Sequence, residues 1–456
     1  MNKRLLVLLL LALVVWGGVK FFKRDQTAPP ESDPNWPLFS INEVRDLNSS
    51  AAVGGFHLIK RDAGWSVTRA GKSEAAYRAD QEKVEAFLNF INGNKPRRRL
   101  EGRSAQIDRE FGLDNPAAIL TIKSKTDWTL KLGVVHPMGD TIYAVCSSEP
   151  DNHLLLDVKY DEQLSLKEDH FYDLRLMDLK PENISKIRLE RSGKGGWEIT
   201  RTDKGFDFTW PESLANKEAA VSEVEMHLHD LVSMKAAAFA PDNSTIPAEA
   251  NMTLSIWPKE AKAPLKISVY KPSPEKDLFL TRSSWQTALV ELDQKRVDKL
   301  CIPSFSLRER RFISVDLGEV VRLQLRQNEH DGKPAHEMAA LKTESGWKEE
   351  GSGRELKGMD MLLWRLTDLR FESEPSDILP ETGIEILDWE LFGKDEKPKT
   401  VFKFFFDPGL PKDQCWLKVE GREKYYPVLD QFLEDLQGQL APGGVNATEA
   451  LPPKTD

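Results

Sequence analysis

Few residues in this sequence combine a reactive type with a spacing that could support chemistry. His227 and His229 stand two apart on a helical pattern, so their rings leave different faces and joint metal ligation from that helix is poor. His330 and His336 fall in a polar stretch, NEHDGKPAHEM, that lengthens a predicted hairpin and fixes no ligand number; a loop metal site is the lesser alternative there. The pairs Glu349/Glu350 and Glu381/Glu385 could do acid–base work only if burial drove their pKa values apart, and among 73 Asp and Glu residues they read as solvated faces. Gly193-Lys194-Gly195-Gly196 and Gly351-Ser352-Gly353 invite comparison with phosphate loops, but a strand pattern rather than a helix follows the first, so it reads as a hairpin turn. Lys95, Arg97, Arg98 and Arg99 form a short basic run, either a solvated edge strand or a weak anion or headgroup patch. There is no nucleophile elbow and no HExxH helix. The sequence therefore predicts no catalytic residue, no metal and no cofactor.

The elements that would position any site are better marked. The chain has 456 residues, 40% of them hydrophobic, with 12 Trp and 21 Phe, which is enough for several packed cores and too much for a wholly disordered chain. Its 63 basic residues against 73 acidic ones give a formal charge of −10, which argues against a nucleic-acid partner held by bulk charge. Cys146, Cys301 and Cys415 are isolated and form neither a CxxC pair nor a Cys/His cluster.

Residues 5–19 carry no charged or strongly polar side chain, and Phe21 and Phe22 extend the run past Lys20. About 18 helical residues rise roughly 27 Å, close to a bilayer's hydrocarbon thickness. Leu5, Leu9 and Leu13 would face lipid, with Trp16, Phe21 and Phe22 near the interface. The expectation is a single-pass signal anchor at 1–24, with a cleaved signal as the rival. An extended linker follows at 25–37. The soluble part is expected on the periplasmic side of the inner membrane, and 441–456 reads as a disordered tail.

Self-comparison shows a repeat. Residues 142–157, 278–293 and 415–430 align without gaps, each with an early aromatic (Tyr143, Phe279, Trp416) and a closing Asp (Asp157, Asp293, Asp430), about 136 residues apart. A second landmark is Gly-Trp, at Gly64-Trp65, Gly196-Trp197 and Gly346-Trp347, read as the turn of a β-hairpin. Between the landmarks lie helical patterns: Val84, Phe87, Leu88 and Ile91 after Asp80, then Val221, Val224, Leu228 and Leu231, then Met361, Leu362, Leu366 and Leu369. The predicted fold is α+β: three tandem units of β-hairpin, helix, β-meander and helix at 38–173, 174–308 and 309–440, with mixed, mainly antiparallel sheets and helices packed on one face.

Several stretches resemble a family described as a domain of unknown function, DUF4340. They are the N-terminal apolar run with its tether, residues 43–67 leading into the first Gly-Trp, and Phe111-Gly112-Leu113-Asp114-Asn115-Pro116 before the strand pattern 118–122. Asp140-Thr141-Ile142-Tyr143-Ala144-Val145 and residues 171–189 (FYDLRLMDLKPENISKIRL) complete them. The Phe-Gly-Leu phrase is degraded near Pro247 and survives in the third copy only as Gly383-Ile384. The resemblance implies one N-terminal anchor helix, a setting beside ABC transporters of the gliding-motility type, and no known catalytic residues. The expected function is a non-enzymatic accessory or scaffold protein whose partner is an ABC-type permease or its auxiliary subunit. The alternatives are a glycan-, lipid- or peptide-binding module using Trp36, Trp210, Trp285 or Trp389 as platforms, and a cell-envelope hydrolase.

Overall fold

The computed structural model describes residues 36, 39–62, 64–68, 76–215, 217–272, 277–286, 288–394 and 397–440. The predicted anchor, with Leu5, Leu9, Leu13, Trp16, Phe21 and Phe22, lies outside them, as do the 441–456 tail and all of the linker but Trp36. Among the described residues no helix is long and apolar enough to cross a membrane. The chain divides into two compact units, Met1–Glu198 with Met226–Ile302 and Ile199–Glu225 with Pro303–Asp456.

The first sheet has nine strands: β1 Asp46–Ala51, β2 Gly55–Arg61, β3 Gly64–Thr68, β4 Ala76–Arg78, β5 Arg98–Glu101, β6 Ala118–Lys123, β7 Trp128–Val135, β8 Thr141–Cys146 and β9 Asn152–Asp157. Their order is β4-β3-β2-β1-β6-β7-β8-β9-β5. Two meanders thus join edge to edge through β1 and β6, with Leu47 opposite Ile122 and both fully buried. The helix Gln81–Gly93 follows the first meander. Its N-terminus is capped by Asp80, whose carboxylate accepts from the N–H groups of Glu82 and Lys83. Val84, Phe87, Leu88 and Ile91 form its buried face, in one core with Phe56, Leu58, Leu120 and Leu130.

The second sheet repeats this plan with β10 Ile184–Arg191, β11 Gly195–Thr202, β12 Gly205–Trp210, β13 Glu218–Ala219, β14 Ala238–Phe239, β15 Met252–Pro258, β16 Leu265–Pro272, β17 Leu278–Ser283 and β18 Val290–Asp293. The order, β13-β12-β11-β10-β15-β16-β17-β18-β14, is that of the first sheet strand for strand. The third has seven strands, β19 Arg322–Gln327, β20 His336–Thr343, β21 Gly346–Glu349, β22 Ile384–Phe392, β23 Pro398–Phe406, β24 Gln414–Val419 and β25 Tyr425–Leu429, in the order β21-β20-β19-β22-β23-β24-β25. Single bridges, Lys348↔Glu355 and Ser376↔Tyr425, stand where the other sheets have their outermost strands.

The predicted α+β class is corrected by this topology. These are three sheet-rich units, the described strand pairings are antiparallel, and only 21% of the described residues are helical. Each expected hairpin is a meander of three or four strands. The added strands β4, β13 and β14 have only two or three residues, too few to show an alternating pattern. The polar stretch around His330 and His336 does lengthen a turn: eight residues, 328–335, join β19 to β20 where the other two sheets use three, and His336 then opens a full strand, β20.

The Gly-Trp landmark also needs correction in the second copy. Gly64-Trp65 and Gly346-Trp347 open the third strand of their sheets, whereas Gly196-Trp197 lies in the second strand of its own. The equivalent pair is Gly205-Phe206. Gly64, Gly205 and Gly346 lie an even 141 residues apart and all take positive φ (108°, 145° and 116°), the left-handed region that favours glycine. Trp197 instead matches Phe56, and both are buried. Phe206→Ala is therefore expected to destabilise as Trp65→Ala does, by about 3–5 kcal/mol each in urea denaturation; a loss under about 1 kcal/mol for Phe206 would contradict the equivalence.

Candidate functional site

The repeat residues sit at strand ends and helix starts. Asp293 caps the helix Gln294–Leu300 by accepting from the Arg296 N–H, and the Asp157 carboxylate accepts from the Lys159 N–H, 3.0 Å away. Asp430 precedes the helix Gln431–Leu440. Tyr143 and Trp416 occupy matching places, each one residue before the position facing the second strand of its meander (Ala144 opposite Leu132, Leu417 opposite Phe404). In the second sheet Thr281 faces Val269, so the matching residue is Leu280 and Phe279 falls on the opposite face.

The environments around Tyr143 and Trp416 differ. Phe111 stacks on Tyr143 with ring centroids 3.8 Å apart, and its carbonyl accepts from the Val134 N–H at 2.9 Å. A Cβ on Gly133 would lie 1.9 Å from that carbonyl oxygen, so the contact needs glycine. The matching residues are Tyr270 and Phe405, which explains why the Phe-Gly-Leu phrase survives only in the first copy. Trp416 instead donates its indole N–H to Asp407, which also accepts from Thr382 and the Gly409 N–H; these bonds hold the Asp407 carboxyl below its usual pKa.

The remaining candidates are mostly held by local partners. Arg97 binds Asp140 and Asp157, and Arg99 binds Glu149, so both are neutralised; Arg98 is exposed. Glu349 takes Arg354 and Ser352 while Glu350 takes Arg322, which separates that pair. Glu385 and Asp388 flank Lys403 at 3.1 and 3.7 Å, and burial, then the neighbouring Glu385, push the Asp388 carboxyl up. Among the proposed platforms, Trp36 and Trp389 are core residues, Trp210 is half-buried, and Trp285 carries the guanidinium of Arg78 at 4.3 Å. Among the described residues no three His, Cys, Asp or Glu side chains are grouped to hold a metal.

The first compact unit holds a cleft of about 750 Å³ at one end of the second sheet. Met252, Val269 and Val297 give it an apolar floor, with half-buried Phe279 beside them. Arg191, Lys194 and Lys271 face it, against the carboxylates Glu249 and Asp298. Sequence patterns missed these residues because Lys271 lies far along the chain from Arg191 and Lys194.

Residues 65–255 match a family described as a domain of unknown function (DUF4340). No curated protein and no solved structure matches the chain. The DUF4340 region contains the Phe111–Tyr143 stack, Arg191, Lys194 and the turn leading to Met252. It also contains the first of two matching hand-overs between sheets.

At that hand-over Arg175 closes on Asp173, its Nε donating to Oδ1 at 3.0 Å and Oδ2 at 3.2 Å and its Nη2 to Oδ2 at 2.7 Å, and Asp173 is only 2% exposed. Gln286 donates to the carbonyls of Asp173 and Arg175. At the second, Arg311 closes on Glu309 in the same way, at 3.0 Å for both bonds, and holds the Glu309 carboxyl below its usual pKa. Acid-x-Arg thus recurs after the first and second copies, a signal present in FYDLR and LRERR but overlooked beside the aromatic landmarks. Arg175→Ala would leave the buried Asp173 charge uncompensated, and a loss of about 3 kcal/mol is expected in denaturant titration.

His227 and His229 point to different faces: His227 is 1% exposed and His229 is exposed. Neither His227 ring nitrogen has a hydrogen-bond partner, and the ring stands edge-on to Trp197 at 6.0 Å. Burial pushes its pKa down to about 4, with Asp230 opposing weakly. An unfolded His takes its proton near pH 6.5, so this residue's contribution is whole above that pH and is lost as pH falls towards 4, by about 3 kcal/mol in total. His227→Phe should remove that share of the acid destabilisation, read as stability at pH 7.5 minus stability at pH 4.5.

Proposed function

We propose that this chain is a non-enzymatic accessory or scaffold protein of the cell envelope that works with an ABC-type transporter complex of the gliding-motility kind. The recurrence of the acid-x-Arg clasp supports this reading. Two hand-overs, 136 residues apart, carry the same bidentate lock, so the connectors are fixed by side-chain chemistry rather than left as flexible linkers. Serial modules on fixed connectors offer several contact surfaces to partners, and linked contacts raise avidity without a deep pocket. Placement on the outer side of the inner membrane rests on the sequence, and the transporter partner on the family resemblance.

Crosslinking in intact membranes, followed by affinity purification, is expected to recover an ABC-type permease or its auxiliary subunit. Recovery of neither, with the bait itself crosslinked and enriched, would overturn the reading. The Arg175→Ala/Arg311→Ala double variant is expected to lower that recovery several-fold while each sheet remains folded by circular dichroism.

A further inference from the structure

The cleft at the end of the second sheet contains charges that the fold does not require. The three sheets share one strand order, so matching positions can be compared directly. Arg191 opposes Met252 as Ala51 opposes Ala118 and Gln327 opposes Leu387. The first sheet therefore has alanine here, and the third has a glutamine whose amide is satisfied by the Pro334 carbonyl at 2.9 Å. Lys271 lies two residues beyond Val269, where the first sheet has Val134 and the third Phe406. Lys194, three residues before Trp197, takes the place of Val53, three residues before Phe56. Three positions that are small or apolar in the first sheet are cationic in the second.

None of the three cations forms an ion pair among the described residues. Arg191 is half-buried. Its Nη1 reaches only the Cys301 sulfur at 3.8 Å and its Nη2 only the Lys194 carbonyl at 3.4 Å, while its Nε has no partner. Asp298, a cleft carboxylate on the neighbouring helix, accepts from Gln294 at 2.6 Å. Removing a guanidinium from water without a good acceptor is unfavourable, and the two sister sheets show that the strand pairing forms without it.

We propose that this cleft binds an oxyanion carried on an apolar stem. Arg191, flanked by Lys194 and Lys271, receives the oxyanion, and Met252, Val269, Phe279 and Val297 receive the stem. Guanidinium matches carboxylate and phosphate geometry through paired N–H donors, which Arg191 now spends on two long contacts. The volume is in the range of small-molecule sites. The inference does not depend on the scaffold reading, since it concerns the purified chain alone.

The test is calorimetric titration of the purified chain with sodium decanoate, inorganic phosphate, acetate and decyltrimethylammonium. Saturable decanoate binding is expected, at least tenfold tighter than phosphate or acetate, with no binding of the cationic amphiphile. R191A and K271V install the first sheet's residues, so both should fold, and each should weaken decanoate at least tenfold; K194Q, at an exposed turn, should weaken it less. Phosphate binding as tightly as decanoate would overturn the apolar-stem assignment and leave a free-anion site. Absence of saturable binding, equal uptake of the cationic amphiphile, or unchanged affinity in R191A with its thermal midpoint intact would overturn the proposal.

Discussion

Each sheet depends on one antiparallel seam between segments far apart in the chain: β1 with β6, β10 with β15, and β19 with β22. Neighbouring strands within each meander are mostly joined by short turns and can pair locally. The seam cannot, because a helix and some fifty or more residues intervene. Without it each meander would expose the face that its partner and the connecting helix cover. Leu47 with Ile122, Leu189 with Leu254, and Leu325 with Trp389 meet across the three seams, all fully buried. Their register sets which residues point into the core and which end of the sheet receives each turn.

A shared seam makes the copies internal controls for one another. A residue dictated by the fold should recur, or be replaced by one of similar chemistry. The positive-φ glycines Gly64, Gly205 and Gly346 do recur, because the strand turn there is the same. Gly133 does not, and Tyr270 and Phe405 in its place bar the close approach that seats Phe111. The family phrase Phe-Gly-Leu is therefore a local solution of one copy. Ala51, Arg191 and Gln327 differ in size and charge at one position, so the seam tolerates all three.

Much of this was legible in the sequence where the physical signal is periodic and long. The Asp80 cap and the Val84/Phe87/Leu88/Ile91 face follow from a 3.6-residue period over thirteen residues. The closing Asp residues were readable because each precedes a helix. The sheet content was underestimated because β13 and β14 have two residues each and their pairing partners are remote. Gly196-Trp197 misled because glycine before an aromatic recurs on two adjacent strands of the plan, Gly55-Phe56 and Gly64-Trp65, and only strand order tells them apart. The gap-free alignment placed Phe279 beside Tyr143, but a one-residue change in the following turn moves it to the other face. The cleft could not be found by pattern, since Arg191, Lys194 and Lys271 converge only through the sheet.

The hand-over clasps show how an extended connector can be stiffened without becoming a helix or a paired strand. In extended backbone, residues two apart project to the same side, roughly 6.5 Å from one another along the chain. That separation suits an arginine folding back on an acid two residues earlier, as Arg175 does on Asp173 and Arg311 on Glu309. The lock is strongest where water is excluded, and at the first hand-over Trp285 and Gln286 provide that cover. At the first hand-over the defined path depends on Arg175, because Asp173 alone would be a desolvated charge. Glu309 is less buried than Asp173, but its carboxyl is held below the usual range chiefly by Arg311, which marks the same dependence of acid on cation. The chain thus uses one ionic geometry twice, at the two points where it leaves one sheet and starts the next.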